Sequence, residues 1–176
     1  MMEEFFSAIT SLKKIQRQGW IDKAGIDNPE SVADHSYSVA VMAMVFGDDA
    51  KMDSCKMIQM ALLHDMAESI IGDLTPEMIT KVDKTIIESA AIENITKTLP
   101  KPLREKYRAI WEEYAAHQSK ESKMVHEIDK FDMGLQANIY AKDGASSRKD
   151  LQVFIESAEK KITNPKIKSM LELFSK

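Results

Sequence analysis

The chain has 176 residues, 44% of them hydrophobic, and a formal net charge of −4. That length suits one domain, residues 1–176, with a core that needs no disulfide; the single cysteine, Cys55, has no internal partner and fits a reducing cytosol, so a cytoplasmic location is expected. Charge is mixed in sign without the basic stripe that double-stranded nucleic acid requires, and no apolar run nears the roughly 20 residues that span a membrane.

The start, Glu3-Glu4-Phe5-Phe6, is acidic and lacks the basic region of a signal peptide. Phe5, Ile9, Leu12 and Ile15 then recur at helical spacing. Gly19, Gly25 and Pro29 make residues 18–31 a loop, which holds Trp20 and Ile21. A second helix opens near Ser31, with Asp34 three residues on as a weaker capping box. His35, Val39, Met42 and Phe46 share one of its faces, and Gly47-Asp48-Asp49 ends it.

Asp53 or Ser54 caps a third helix, with Ile58, Ala61, Leu62 and Asp65 on one stripe. Its apolar run continues as Ala61-Leu62-Leu63-His64-Asp65-Met66-Ala67-Glu68. Gly72 and Pro76 bracket a turn that carries Asp73. Ile87, Ala91, Ile95 and Leu99 form a helix stopped by Pro100, and Pro102 opens the next one, with Leu103, Tyr107, Ile110 and Trp111. The polar stretch from Ala115 to Lys123 predicts a loop running into a helix capped at Ser119. That helix carries Val125, Ile128, Asp132, Leu135 and Ile139, and Asp129 flanks the apolar seam. After the turn Gly144-Ala145-Ser146-Ser147 come two more helices, one with Leu151, Phe154, Ile155, Ala158 and Ile162, the other with Ile167, Met170, Leu171 and Phe174 beyond Asn164-Pro165. No useful period-2 stretch, repeat or low-complexity segment interrupts this pattern, so the fold class is all-α. The 12 methionines suit an adaptable core.

Within the run around His64, the spacing places Glu68 on the same side as both His64 and Asp65. Polar groups set into an apolar helix need a partner, and three that converge point to a cation. His35 and Asp129 also lie beside apolar seams, where an unpaired polar group costs roughly 1–3 kcal/mol. The chain is therefore expected to bring His35 and Asp129 to His64 and Asp65 around a divalent ion. A mixed nitrogen and oxygen set suits Mn, Co, Ni, Fe or Zn better than calcium or a thiolate-loving ion, and the identity of the ion, Mg included, stays open. Asp34 has two readings: a carboxylate that orients an imidazole, or simple negative charge at a helix N-terminus. His117 and His126 read as ordinary surface or helix residues.

The segments Glu30-Ser31-Val32-Ala33-Asp34-His35-Ser36, Ala61 to Glu68, Ile71-Gly72-Asp73-Leu74 and Ile128-Asp129 resemble the HD-domain superfamily, most closely its 5′-deoxynucleotidase branch, the HD-domain-containing protein 2 group. Leu12 to Trp20, Ala40 to Val45 and Ile110-Trp111-Glu112-Glu113-Tyr114 are similar to that branch too, so the resemblance covers roughly residues 9–140. It implies an all-helical homodimer whose metal is held by residues matching His35, His64, Asp65 and Asp129. It implies hydrolysis of nucleoside 5′-monophosphates, deoxyribonucleotides preferred, to nucleoside and phosphate. Glu68 and Asp73 match carboxylates near the attacking water, Arg17 a phosphate-binding arginine and Trp20 a tryptophan near the sugar.

Two rivals remain open: another HD phosphohydrolase acting on cyclic or polyphosphorylated nucleotides, and a nucleotide sensor without turnover. The chain lacks the extra downstream histidines of two-metal HD phosphodiesterases. Ser69 after Glu68 departs from the Glu-Asp of guanosine-polyphosphate hydrolases.

Overall fold

A computed structural model describes residues 2–75 and 77–174. Pro76, expected to close the turn after Gly72, lies outside those residues, as do Met1, Ser175 and Lys176. Among the described residues the chain forms ten helices, with a single isolated bridge between Gln16 and Ser31 in place of any sheet. In order these are α1 (Glu3–Leu12), α2 (Gln18–Ala24), α3 (Val32–Asp49), α4 (Ser54–Leu63), α5 (Glu68–Ile71), α6 (Lys81–Thr96), α7 (Lys101–Ala116), α8 (Lys120–Lys142), α9 (Arg148–Lys161) and α10 (Pro165–Phe174).

Local chemistry sets most of these boundaries. Side chains of Ser31, Asp53, Ser119 and Ser147 each accept a hydrogen bond from a backbone N–H in the first turn of α3, α4, α8 and α9. At α3 the capping box is complete, because Asp34 also accepts from the Ser31 N–H at 2.9 Å.

Helix α3 packs along α4 and α8, while α8 runs against α9 and α10. The main core lies among them and includes Val32, Val39, Met57, Met60, Val125 and Ile128, all fully buried. A smaller core joins Trp20, Ala24 and Ile26 of the α2 region to Ala137, Leu151 and Phe154. Gly134 lets α8 approach its neighbours: a Cβ there would lie 2.9 Å from Ala158 Cβ and 3.0 Å from Leu171 Cδ1.

Three stretches depart from the pattern read in the sequence. Residues 18–24, expected as loop, wind into α2, which Gly25 ends in the left-handed region at φ 63°. The segment is too short to show a period. Between α7 and α8 the loop is only residues 117–119, because α7 runs on to Ala116, and the cap of α8 is at Ser119 as expected. The most consequential departure is at His64. Helix α4 stops at Leu63, and residues 64–67 are turn before α5 begins at Glu68. Here the backbone bonds run from Met66 N to Leu63 O, Glu68 N to Asp65 O and Ser69 N to Met66 O. Such bonds wind about three residues per turn, so Glu68 falls in line with Asp65 and no longer with His64.

Candidate active site

His35 sits in the first turn of α3 and is fully buried. Its Nδ1 lies 2.7 Å from Asp132 Oδ2 of α8. His64, at the C-terminal cap of α4, points Nδ1 at the carbonyl of Ala61, 2.6 Å away. A carbonyl and a carboxylate accept, so both Nδ1 atoms carry protons and both Nε2 atoms present lone pairs. Those two Nε2 atoms are 3.3 Å apart. Asp129 Oδ1 is 3.4 Å from His35 Nε2. Asp65 Oδ2 is 3.1 Å from His64 Nε2 and 3.7 Å from His35 Nε2.

The two lone pairs converge with the carboxylate of Asp129, and Asp65, which Arg17 also holds, lies beside them; such a set suits a cation between its members. Donor atoms of His35, His64 and Asp129 all fall within 4.8 Å of one another, a spacing that one ion can serve. The residues therefore fit a divalent metal. With protons alone to share, burial and Arg17 oppose charge on His35, but Asp129 and Asp132 outweigh them and raise its pKa to about 9. Burial works against ionised Asp129 as well, yet Lys130 and the imidazoles keep its carboxyl well below the usual range.

Above this cluster opens a cavity of about 520 Å³, a size that admits a nucleotide. Glu68, 2% exposed, lines it, and its Oε2 has no hydrogen-bond partner among the described residues. Burial, then the charges of Asp65 and Asp73, push the Glu68 pKa well above that of a free carboxyl, which favours its protonated form. Asp73 follows Gly72, whose φ of 75° turns the chain out of α5, and accepts from the Gln18 N–H at 2.7 Å. Arg17 Nη1 pairs with Asp65 Oδ2 at 3.1 Å.

Trp20 also lines the cavity, although it is only 2% exposed. Its ring lies 4.1 Å from Phe154, and Nε1 donates to Glu30 Oε1 at 3.0 Å. The residues expected as ligands and site groups thus meet at one place: His64, Asp65 and Asp129 line its floor with His35 buried behind them, and Glu68, Asp73, Arg17 and Trp20 line its walls.

The imidazole-orienting carboxylate is Asp132, not Asp34, which is committed to its capping box. A polar residue on the apolar seam of α8 was the signal available for Asp132, since a buried carboxylate needs a partner. Lys130, Lys84, Tyr114 and His126 line the cavity as well. Lys130 Nζ holds Asp129 Oδ2 at 2.8 Å. His126 is not an ordinary surface residue. Its ring stacks on Tyr114, and burial pushes its pKa down to about 4, so it is neutral. Its place three residues before Asp129, one turn along α8, was the clue.

Comparison with known proteins gives a consistent picture. The sequence matches the family described as HD domain over residues 9–170. The mouse (Mus musculus) protein called 5′-deoxynucleotidase HDDC2 is 40% identical over 164 residues, covering 93% of this chain and 81% of that protein. Its namesake in Dictyostelium discoideum is 39% identical over 177 residues, covering 95% of this chain and 93% of the other. Among solved structures, a conserved hypothetical protein from Pyrococcus furiosus superposes with a TM-score of 0.79 at 31% identity over 98% of each chain.

Proposed function

The chain belongs to the HD-domain family, and from that premise we propose that it is a metal-dependent 5′-deoxynucleotidase, which hydrolyses nucleoside 5′-monophosphates to nucleoside and phosphate and prefers deoxyribose. The observation that carries this reading is the pair of Nε2 lone pairs, fixed by Nδ1 bonds to Asp132 and Ala61, that converge with two carboxylates beneath a nucleotide-sized cavity. His35, His64, Asp65 and Asp129 are assigned as ligands. They would hold a divalent ion, whose chemistry there would be to polarise a phosphoryl oxygen and to make water more acidic.

The chain's own residues handle the rest. Asp73, one oxygen of which is anchored by the Gln18 N–H, accepts a proton from the attacking water. The water oxygen bonds to phosphorus as the P–O5′ bond breaks, and Glu68 gives its proton to the departing 5′-oxygen. Arg17 keeps one amine on Asp65 and has further donors for phosphoryl oxygens. Trp20, held by Phe154 and Glu30, makes a stiff wall that leaves little room for a 2′-hydroxyl.

Release of inorganic phosphate from matched deoxy- and ribonucleoside monophosphates tests the reading. Steric selection of this kind should favour the deoxy substrate by roughly 10- to 200-fold in kcat/KM. Trp20→Phe, which keeps an aromatic ring in the smaller core, should narrow that ratio. Equal rates on both sugars would remove Trp20 from the site. Release of pyrophosphate from a polyphosphorylated nucleotide, or of a monophosphate from a cyclic one, with no phosphate released from the monophosphates, would favour the other HD hydrolases instead.

A homodimer in the cytoplasm is the assembly and location proposed. In α9 and α10, Leu151, Ile155, Ile167 and Leu171 are spent on the core, while Val153, Met170, Leu173 and Phe174 are exposed. The outer face of α3 also presents exposed Tyr37, Val41, Met44 and Val45 at helical spacing, which supports an interface there. Solution mass at micromolar protein should be that of two chains, and Val45→Glu should halve it. A wild-type monomer sinks the dimer, and recovery of the protein in a membrane or secreted fraction sinks the location.

A further inference from the structure

Tyr114 stands in the last turn of α7, 9% exposed, and lines the cavity beside Asp65 and Asp129. Its ring is restrained on two sides. It stacks on His126 with centroids 4.0 Å apart and planes 16° apart, and it meets the His64 ring edge-on at 5.5 Å. Its backbone carbonyl accepts from the His117 N–H at 3.1 Å and lies 3.1 Å from His126 Nε2. The turn that carries it is thereby tied to α8. Yet the hydroxyl forms no hydrogen bond with another described residue.

The Tyr114 hydroxyl is not among the polar atoms sealed in the core; it belongs to a residue of the cavity wall and has no bond to another described residue to give up. A hydroxyl in that position is free to bond a group that enters the cavity. Its ring meets that of His64 edge-on, and the wall it joins includes Asp65 and Asp129, so it stands at the end of the cavity where the His64-Asp65 pair lies. What arrives at that end is a phosphate monoester, whose oxygens accept hydrogen bonds and gain charge as the ester breaks.

We propose that the Tyr114 hydroxyl donates a hydrogen bond to a phosphoryl oxygen of the bound substrate, which makes Tyr114 a further catalytic residue, and that His126 is the positioning residue that holds it there. The proposal rests on the nucleotidase reading for its substrate. Its chemistry is that of phosphate recognition, which can be measured with inorganic phosphate alone.

Tyr114→Phe keeps the ring, both ring contacts and the carbonyl bonds. With the metal-loaded protein, affinity for inorganic phosphate, measured by calorimetry, should fall roughly ten- to hundredfold, the scale of a hydrogen bond to a charged group. The kcat on a deoxynucleoside monophosphate should fall by at least as much, with metal content and melting temperature unchanged. His126→Phe retains an aromatic stack but loses the bond to the Tyr114 carbonyl, and should show a smaller loss of kcat with KM little moved. Tyr107→Phe, on the same helix but stacked on Phe5 in the core, should match the wild type. Wild-type phosphate affinity and kcat in Tyr114→Phe would overturn the proposal, as would a wild-type protein that binds no phosphate. If the wild type binds phosphate but hydrolyses no monophosphate, the nucleotidase reading fails while the phosphate titration still decides the Tyr114 contact.

Discussion

Replacing His64 by alanine should strip the protein of its metal and take hydrolysis down by more than about 10³-fold in a single step. The ring supplies one of the two Nε2 donors, and nothing else on the floor can replace it, because its neighbours are carboxylates already pressed together. Affinity depends on the complete set, so metal content and rate fall together. Asp132→Ala is the informative companion. It leaves every proposed ligand in place but removes the acceptor 2.7 Å from His35 Nδ1. With no fixed tautomer the imidazole binds less well, and metal affinity should drop roughly 10- to 100-fold. Elemental analysis beside kcat for each variant checks both. A His64→Ala protein that keeps its metal and its activity would place the ion elsewhere.

Glu68→Gln should separate chemistry from binding. Glutamine keeps the size of the side chain and one acceptor oxygen but cannot give up a proton. Glu68 is 2% exposed, with one oxygen unpartnered and its pKa well raised by burial and by Asp65 and Asp73. Those features suit a donor to a leaving 5′-oxygen better than a ligand, which must be ionised. The variant should retain metal and bind nucleotide while turnover falls by roughly 10²–10⁴. Loss of metal would make Glu68 a ligand and move the acid to Asp73. Unchanged metal and rate would make it structural.

Much of the floor of the site was legible because buried polar residues on apolar seams need partners, and that requirement reads directly from spacing. His35, His64, Asp65 and Asp129 stand out in this way, and the capping residues Ser31, Asp53, Ser119 and Ser147 set their helices just as their side-chain chemistry requires. The break after Leu63 was not legible, since 3.6-residue and 3-residue winding differ by a fraction of a turn over so short a run. It changes which residue Glu68 lines up with, so a regular-helix argument reached the right cluster through the wrong geometry. Asp132 was visible on the α8 seam, but its partner lies 97 residues away on α3, and no local pattern names such a contact. Tyr114 entered only as the end of the segment Ile110-Trp111-Glu112-Glu113-Tyr114, because nothing in its spacing tells that its ring meets His64 and lines the cavity. Trp20 shows the reverse case. It was expected near the sugar, and it reaches the cavity as a rigid member of the smaller core rather than as a loop residue.

The most direct test of metal-dependent phosphomonoester hydrolysis is a titration of chelated, metal-free protein with Mn²⁺ in the presence of a 5′-deoxynucleoside monophosphate, following inorganic phosphate and nucleoside together. The site predicts no release before metal is added, and equal amounts of the two products, rising to a plateau, as it binds. Full phosphate release from protein shown by elemental analysis to hold no metal would contradict the account, and so would a failure to release phosphate with any of Mn, Co, Ni, Fe, Zn or Mg.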